Sequence, residues 1–192
     1  MMAMTLEAGM LEKGDASDSL LIGLARDGDE RAFGRLVERH YDFVYRVAFH
    51  WCGSRPDAED IAQEVCIRLG RAIRGFKGNA AFSSWLYTLT LNAARDLARK
   101  ARRDAVKAEA YGVHALVSGA TGLPRDDPAE AMWNVVRTLP DKQREAVVLV
   151  YGEGVSHAAA AETMGCAEAT VSWHIHEAKK RLKVLMRRVG EV

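Results

Sequence analysis

The sequence predicts an all-α protein built as two small helical domains joined by a flexible linker. Three observations predict it. Apolar residues recur at steps of three and four in nearly every patterned segment, and no stretch alternates as a half-buried strand does. Several helix ends carry their own punctuation, with Ser, Asp or Pro at the start and Gly at the end. Between Arg103 and Asp126 the pattern fades, and Gly112, Gly119, Gly122 and Pro124 interrupt it. We therefore place a disordered tail at 1–17, a first domain at 18–103, a linker at 104–126 and a second domain at 127–192. Domains of roughly 80 and 60 residues bury little apolar surface, so a bound partner is expected to help hold them.

Each element has a local reason. A short helix, SLLIGLARDG, comes first. Asp29 suits the cap of a long helix that runs to Trp51, with Phe33, Leu36, Val37, Tyr41, Val44, Val47, Ala48 and Trp51 on its inner face. Gly53, Ser54 and Pro56 break it. The next helix buries Ile61, Val65, Leu69, Ala72 and Phe76. After the loop GFKGN another begins near Phe82, with Leu86, Leu89, Ala93, Leu97 and Ala101 as its stripe. A weak helical stretch is expected around Asp104 to Tyr111. The second domain opens on Asp127 as a cap and Pro128 at the first helical position. Leu139-Pro140 ends that helix. KQREAVVLVYGEG, SHAAAAETMG and CAEATVSWHIHEAKKRLKVLMRR supply three more.

The 192 residues carry a formal net charge of +1, which hides segregation. Acidic residues cluster from Asp57 to Glu64, and basic ones from Arg95 to Lys107 and from Lys179 to Arg188. Cys52, Cys66 and Cys166 are odd in number and far apart, which fits free thiols in a reducing cytoplasm. The N-terminus lacks the basic-then-apolar order of a signal peptide, and no apolar run is long enough to span a bilayer.

The segment SHAAAAETMG-CAEA-TVSWHIHEAKKRL has the form helix, turn, helix. Val171, Ile175, Ala178, Leu182 and Leu185 make one stripe of the last helix. The opposite face carries Ala169, Trp173, His176 and Lys180, flanked by Ser172, Lys179 and Lys183. Such a surface suits a helix lying in a major groove. Packing of Trp173 on a neighbouring domain or partner is the bland alternative. A metal or redox site using His157, Cys166, His174 and His176 is the rival reading. It fits poorly, because His174 and His176 point about 160° apart on a helix and match no common zinc spacing. No metal and no cofactor is expected. His174 reads better as a half-buried histidine with a backbone partner.

The segments DAEDIAQEVCIRLGRAIRGF, FSSWLYTLTLNAARDLARKARR and LPDKQREAVVLVYGEGVSHAAAAETMGCAEATVSWHIHEAKKRL occur in that order. Together they resemble the extracytoplasmic-function class of bacterial RNA polymerase sigma factors, from about Leu20 to Arg103 and from about Pro128 to Met186. The resemblance implies a non-enzymatic, cytoplasmic subunit that directs core RNA polymerase to promoter DNA and is monomeric when bound to it. It also implies control by an anti-sigma factor.

The same resemblance implies residue roles. Asp57, Glu59, Asp60, Gln63 and Glu64 would contact core polymerase, and a helix-dipole preference would account for Asp57, Glu59 and Asp60 without any partner. Lys77, Asn79, Phe82, Trp85, Asn92, Arg95, Asp96, Arg99 and Arg103 would read the melted −10 element by stacking, base-edge and phosphate contacts. Ordinary core packing is the alternative for Phe82 and Trp85. Glu168, Ala169, Thr170, Ser172, Trp173, His176, Lys179, Lys180 and Lys183 would face the −35 duplex. Here the chain departs from its relatives. Where many place a basic residue, a serine and an arginine, it has Ser172, Trp173 and His174, and a further basic position is Glu177. That shifts the expected contact from charge toward apolar touch, as of Trp173 on thymine methyl groups. A stand-alone helix-turn-helix regulator is the alternative function. It leaves the acidic helix and the Asn92 stripe without a purpose.

Overall fold

The computed structural model describes residues 17–110 and 128–190, and every regular element among them is helical. The disordered tail and most of the flexible linker expected from the sequence lie outside the described residues, as does the Asp127 cap.

Helix α1 (Asp18–Arg26) starts where the Ser17 hydroxyl accepts from the Leu20 amide at 3.3 Å. Helix α2 (Glu30–Cys52) starts at the Asp29 cap, whose carboxylate accepts from the Ala32 amide at 2.9 Å. It stops at Gly53, where φ is +75°, a conformation that glycine adopts without steric cost. Helix α3 (Arg55–Ala72) has Ser54 as cap and Pro56 in its first turn, and it tightens into a 3-10 turn over Ile73–Gly75. Helix α4 (Phe82–Ala110) continues through the segment where the sequence places the start of the linker.

These four helices close on Leu21, Leu36, Val47, Val65, Leu86 and Leu91, all buried. Asp18 ties α1 to α2 through Arg39 at 2.6 Å and His40 at 2.8 Å. Burial pushes the Asp18 carboxyl up, but those two partners outweigh it and hold it below its usual value.

The second domain contains α5 (Pro128–Arg137), α6 (Asp141–Val147), a wide turn of π-helix (Val148–Gly152), α7 (His157–Met164) and α8 (Glu168–Gly190). Ser156 caps α7 and Gly165, at φ +63°, ends it. The sequence predicts one regular helix over KQREAVVLVYGEG, and the structure divides it. Ala146, Val147, Val148 and Leu149 are all buried, so this stretch has no solvent face. It is covered on one side by its own domain and on the other by α2, and Tyr87 of α4 reaches the Glu145 carbonyl just before it.

The two domains are docked on each other. Trp51, at the end of α2, is 5% exposed. The Arg144 guanidinium lies 3.6 Å from its ring centroid and that of Arg95 lies 5.5 Å away. Tyr87 is buried, and its hydroxyl donates to the Glu145 carbonyl at 3.3 Å across the interface. Arg95 reaches the Glu145 carboxylate at 3.2 Å, and Arg46 reaches that of Glu153 at 2.9 Å. His50 stacks on Trp133 with centroids 4.0 Å apart. Arg137 donates to the Phe49 carbonyl at 3.2 Å. Two glycines permit this closeness. A Cβ on Gly53 would lie 2.6 Å from Arg137 Nε, and one on Gly152 would lie 3.0 Å from His50 Nδ1.

Candidate nucleic-acid interface

Three surfaces carry the residues singled out in the sequence. The first is the acidic face of α3. Asp57, Glu59, Asp60, Gln63 and Glu64 are all exposed. They sit there because α3 turns Ala58, Ile61, Ala62 and Val65 inward, which leaves the intervening polar positions outside. Glu64 is bonded to Arg68 at 2.7 Å, and Arg68 reaches Asp96 of α4 at 2.8 Å. Asp96 also accepts from Arg99. A relay of alternating charge thus joins the α3 face to α4. It borders an open groove of about 830 Å³ lined by residues that include Asp60, Glu64, Arg68, Asp96, Arg99 and Arg103.

The second surface is the loop before α4 and the outer face of that helix. Lys77 and Asn79 are exposed, with Gly78 between them at φ +72°. Phe82 is 8% exposed and packs edge-on against Phe76 at 5.5 Å and His40 at 5.1 Å. Trp85 is half-buried and lies 4.9 Å from Phe76. Phe82 is therefore the underside of an aromatic cluster, and Trp85 is its more accessible member.

Asn92, Arg99 and Arg103 are exposed. Asp96 is already occupied, since the hydrogen bonds from Arg99 and Arg68 hold its carboxyl below the usual value. Arg95 is half-buried and held by Glu145. The sequence offered no signal for that contact, because the partner lies fifty positions away on another domain.

The third surface is α8. Val171, Ile175 and Ala178 are buried as the periodicity requires. Glu168, Ala169, Ser172, Trp173, His176, Lys179, Lys180 and Lys183 are exposed, and Thr170 is half-buried. Trp173 is 57% exposed, so its ring is not spent on packing in this state. It meets His174 edge-on at 5.0 Å. His174 is half-buried, and its Nδ1 has no hydrogen-bond partner among the described residues, where the sequence reading expects a backbone partner.

Two contacts escaped sequence reasoning. His157 Nδ1 lies 2.9 Å from Ser172 Oγ, so the start of α7 steadies the hydroxyl at the front of α8. Lys179 Nζ lies 5.3 Å from the centroid of the exposed Tyr151 ring. Helical spacing within α8 could reveal neither, since both partners come from outside it.

No group of three or more His, Cys, Asp or Glu side chains is placed to hold a metal among the described residues. Cys52, Cys66 and Cys166 are free thiols, and burial raises the pKa of Cys52 and Cys66, which makes them poor nucleophiles. No helix among the described residues is long and apolar enough to cross a membrane.

Residues 36–104 match the family described as Sigma-70 region 2, and residues 129–182 match Sigma-70, region 4. The chain is 30% identical over 179 residues to the ECF RNA polymerase sigma factor SigW of Bacillus subtilis, covering 84% of this chain and 92% of that protein. It is 32% identical over 174 residues to ECF RNA polymerase sigma factor SigM of Mycobacterium tuberculosis, covering 90% and 86%. Among solved structures it is similar to CnrH in complex with the cytosolic domain of CnrY, with a TM-score of 0.65 and 26% identity over 89% of this chain and 97% of that one. The sigma factor RpoE from Bartonella quintana, solved with the anti-sigma factor NepR, shares the fold at a TM-score of 0.62 and 23% identity, covering 81% and 96%.

Proposed function

The chain belongs to the sigma-70 family, in its extracytoplasmic-function group, and from that premise we propose how its surfaces share the work of promoter recognition. It directs core RNA polymerase to specific promoters for transcription initiation. The first domain, 18–103, docks on core polymerase through Asp57, Glu59, Asp60, Gln63 and Glu64. Its loop and α4 then hold melted −10 bases, with Lys77, Arg99 and Arg103 on phosphates, Asn79 and Asn92 on base edges, and Trp85 as the stacking platform. The second domain, 127–192, lays α8 along the −35 major groove. The protein works in the cytoplasm, makes no covalent chemistry of its own, and is held in check by an anti-sigma factor. That last point is supported by RpoE, a protein of the same fold that was solved with one.

The observation that carries this reading is the pairing of an exposed acidic face on α3 with a basic outer stripe on α4 within one small domain. A stand-alone DNA-binding regulator has no use for the first. Linking the two DNA readers also explains why each can be weak alone, since the tether raises the effective concentration of the second contact. Run-off transcription with purified core polymerase on promoter fragments tests it. Promoter-dependent transcripts are expected. Absence of transcripts, together with failure to co-elute with core polymerase, would sink the reading.

Trp173 is the large exposed aromatic on the front of α8. Replacing Trp173 by Ala is expected to weaken binding of the cognate −35 duplex by about 1–3 kcal/mol and to leave non-specific binding nearly unchanged. Competition binding on matched and scrambled duplexes checks it. An equal loss on both would show that the ring does not read bases.

A further inference from the structure

We propose that His157 is a positioning residue for DNA reading. From the first turn of α7 it holds the Ser172 hydroxyl of α8 in one orientation, and so makes that hydroxyl selective at one base pair. The proposal rests on the −35 role given to α8 above, and it assigns a share of that role to a residue outside α8.

Small residues bring the two side chains together. Ala160 and Ala161 of α7 are buried in the same core as Val171, Ile175 and Ala178 of α8. Contacts between such small side chains let two helices approach closely. Both ends of α7 are fixed. The Ser156 hydroxyl accepts from the Ala159 amide at 3.2 Å, and Gly165 closes the far end at φ +63°. His157 is half-buried and Ser172 is exposed, with Nδ1 2.9 Å from Oγ.

That contact takes Ser172 away from the usual place of a helical hydroxyl. Thr88, Thr90 and Thr163 each donate to the carbonyl four residues earlier on their own helix, at 3.0, 2.9 and 2.9 Å. Ser172 meets a ring from another helix instead. The consequence follows from the chemistry of the pair. A hydroxyl has one proton and two lone pairs. Where Nδ1 is bare, it takes the Ser172 proton, and Oγ shows DNA only lone pairs. Where Nδ1 carries a proton, it donates to Oγ, and the Ser172 O–H is left pointing away from the ring. In both cases the hydroxyl stops rotating between donor and acceptor.

Rotation is what makes a serine tolerant in the major groove. The amino groups of A and C need an acceptor, while the N7 and O6 of G and the O4 of T need a donor. A hydroxyl free to turn serves either, and one fixed by His157 serves one. The neighbouring Trp173 ring is 57% exposed on the same front, so the fixed hydroxyl stands beside an apolar reader. Two helices that preset a contact in this way also lose less side-chain freedom when DNA arrives.

The test uses the full chain and fluorescent duplexes carrying the −35 element of a promoter found by the run-off assay. One duplex is matched, one is scrambled, and a set changes each base pair singly. The variants are Ser172→Ala, His157→Ala and the two combined. Each single substitution is expected to relax the preference at one shared base pair roughly fivefold, the size of one hydrogen bond. The combined variant is expected to relax it no further, since His157 acts through Ser172. His157→Asn should restore much of the preference, because its amide, like Nδ1, is carried on Cγ. His157→Gln places the amide one bond further out and should not restore it. A purely structural loss would weaken binding at every base pair alike, and Asn would have no advantage over Gln.

Losses that add, or that fall on different base pairs, would overturn the proposal. So would a Ser172→Ala variant that keeps the wild-type preference. A wild type that binds matched and scrambled duplexes equally would remove the −35 reading and this proposal with it, a failure visible before any variant is made.

Discussion

Replacing Asp60 by Lys is expected to abolish co-elution with core RNA polymerase and, with it, promoter-dependent transcription. Asp60 stands exposed in the middle of the α3 acidic face, between Glu59 and the Gln63–Glu64 pair one turn later. A partner chosen for this face presents basic groups. Reversal therefore turns an attraction into a like-charge contact, which costs several kcal/mol in an interface. At about 1.4 kcal/mol per tenfold, a loss of at least ~100-fold in affinity is expected. The fold should not notice, because an exposed helical side chain away from a cap changes stability by about 0.5 kcal/mol or less. A thermal melt close to wild type, together with lost polymerase binding, is the expected pair of results. Unchanged binding would move the polymerase contact off this face.

Replacing Trp51 by Ala should have the opposite signature, a large loss of stability. The ring is buried at the end of α2 with guanidinium groups against it from α4 and α6. Deleting a buried Trp costs about 3–5 kcal/mol through lost burial and the cavity left behind. In a domain of this size each kcal/mol lowers the melting temperature by about 4–8 °C, so a fall of more than ~10 °C is expected. Trp51→Phe keeps a ring beneath Arg144 and should recover much of the loss. Trp173→Ala is the internal control, since its ring is exposed and its removal should leave the melt almost unmoved. A Trp51→Ala variant that melts like wild type would mean that the two domains do not enclose this ring in solution.

The contrast between these two tryptophans shows what the chain reveals before it folds. Both stand in helices, and the sequence assigned each from its neighbours alone. Trp51 completes a stripe with Val44, Val47 and Ala48, and it is buried. Trp173 sits opposite Val171, Ile175 and Ala178, and it is exposed. Helical period decides such questions, because burial of one face is what stabilises a short helix. The caps at Asp29 and Ser156 and the stops at Gly53 and Gly165 were legible for the same reason. Each depends on residues within one turn.

Phe82 marks the edge of that legibility. Its place at the start of α4 was readable. Whether it floors a base pocket or fills the core was not, because that depends on Phe76 and His40, which arrive from other elements. The broken regularity after Val147 belongs with it. The sequence pattern predicts a continued helix there, but three valines and Gly152 are weak helix formers, and the helix widens where Val148 and Leu149 are buried.

By itself, the sequence determined the helices, their buried stripes, the acidic face of α3, the basic stripe of α4 and the exposed front of α8. All of these are set by spacing along one element. Only the tertiary structure decided that Arg95 faces Glu145, that Glu153 lies between Arg46 and His50, that His157 steadies Ser172, and that Arg68 joins Glu64 to Asp96. Periodicity reports which way a side chain points. It carries no information about which distant carboxylate or ring will be there to meet it, and the meetings of Arg95 with Glu145 and of Arg46 and His50 with Glu153 are among those that hold the two domains together.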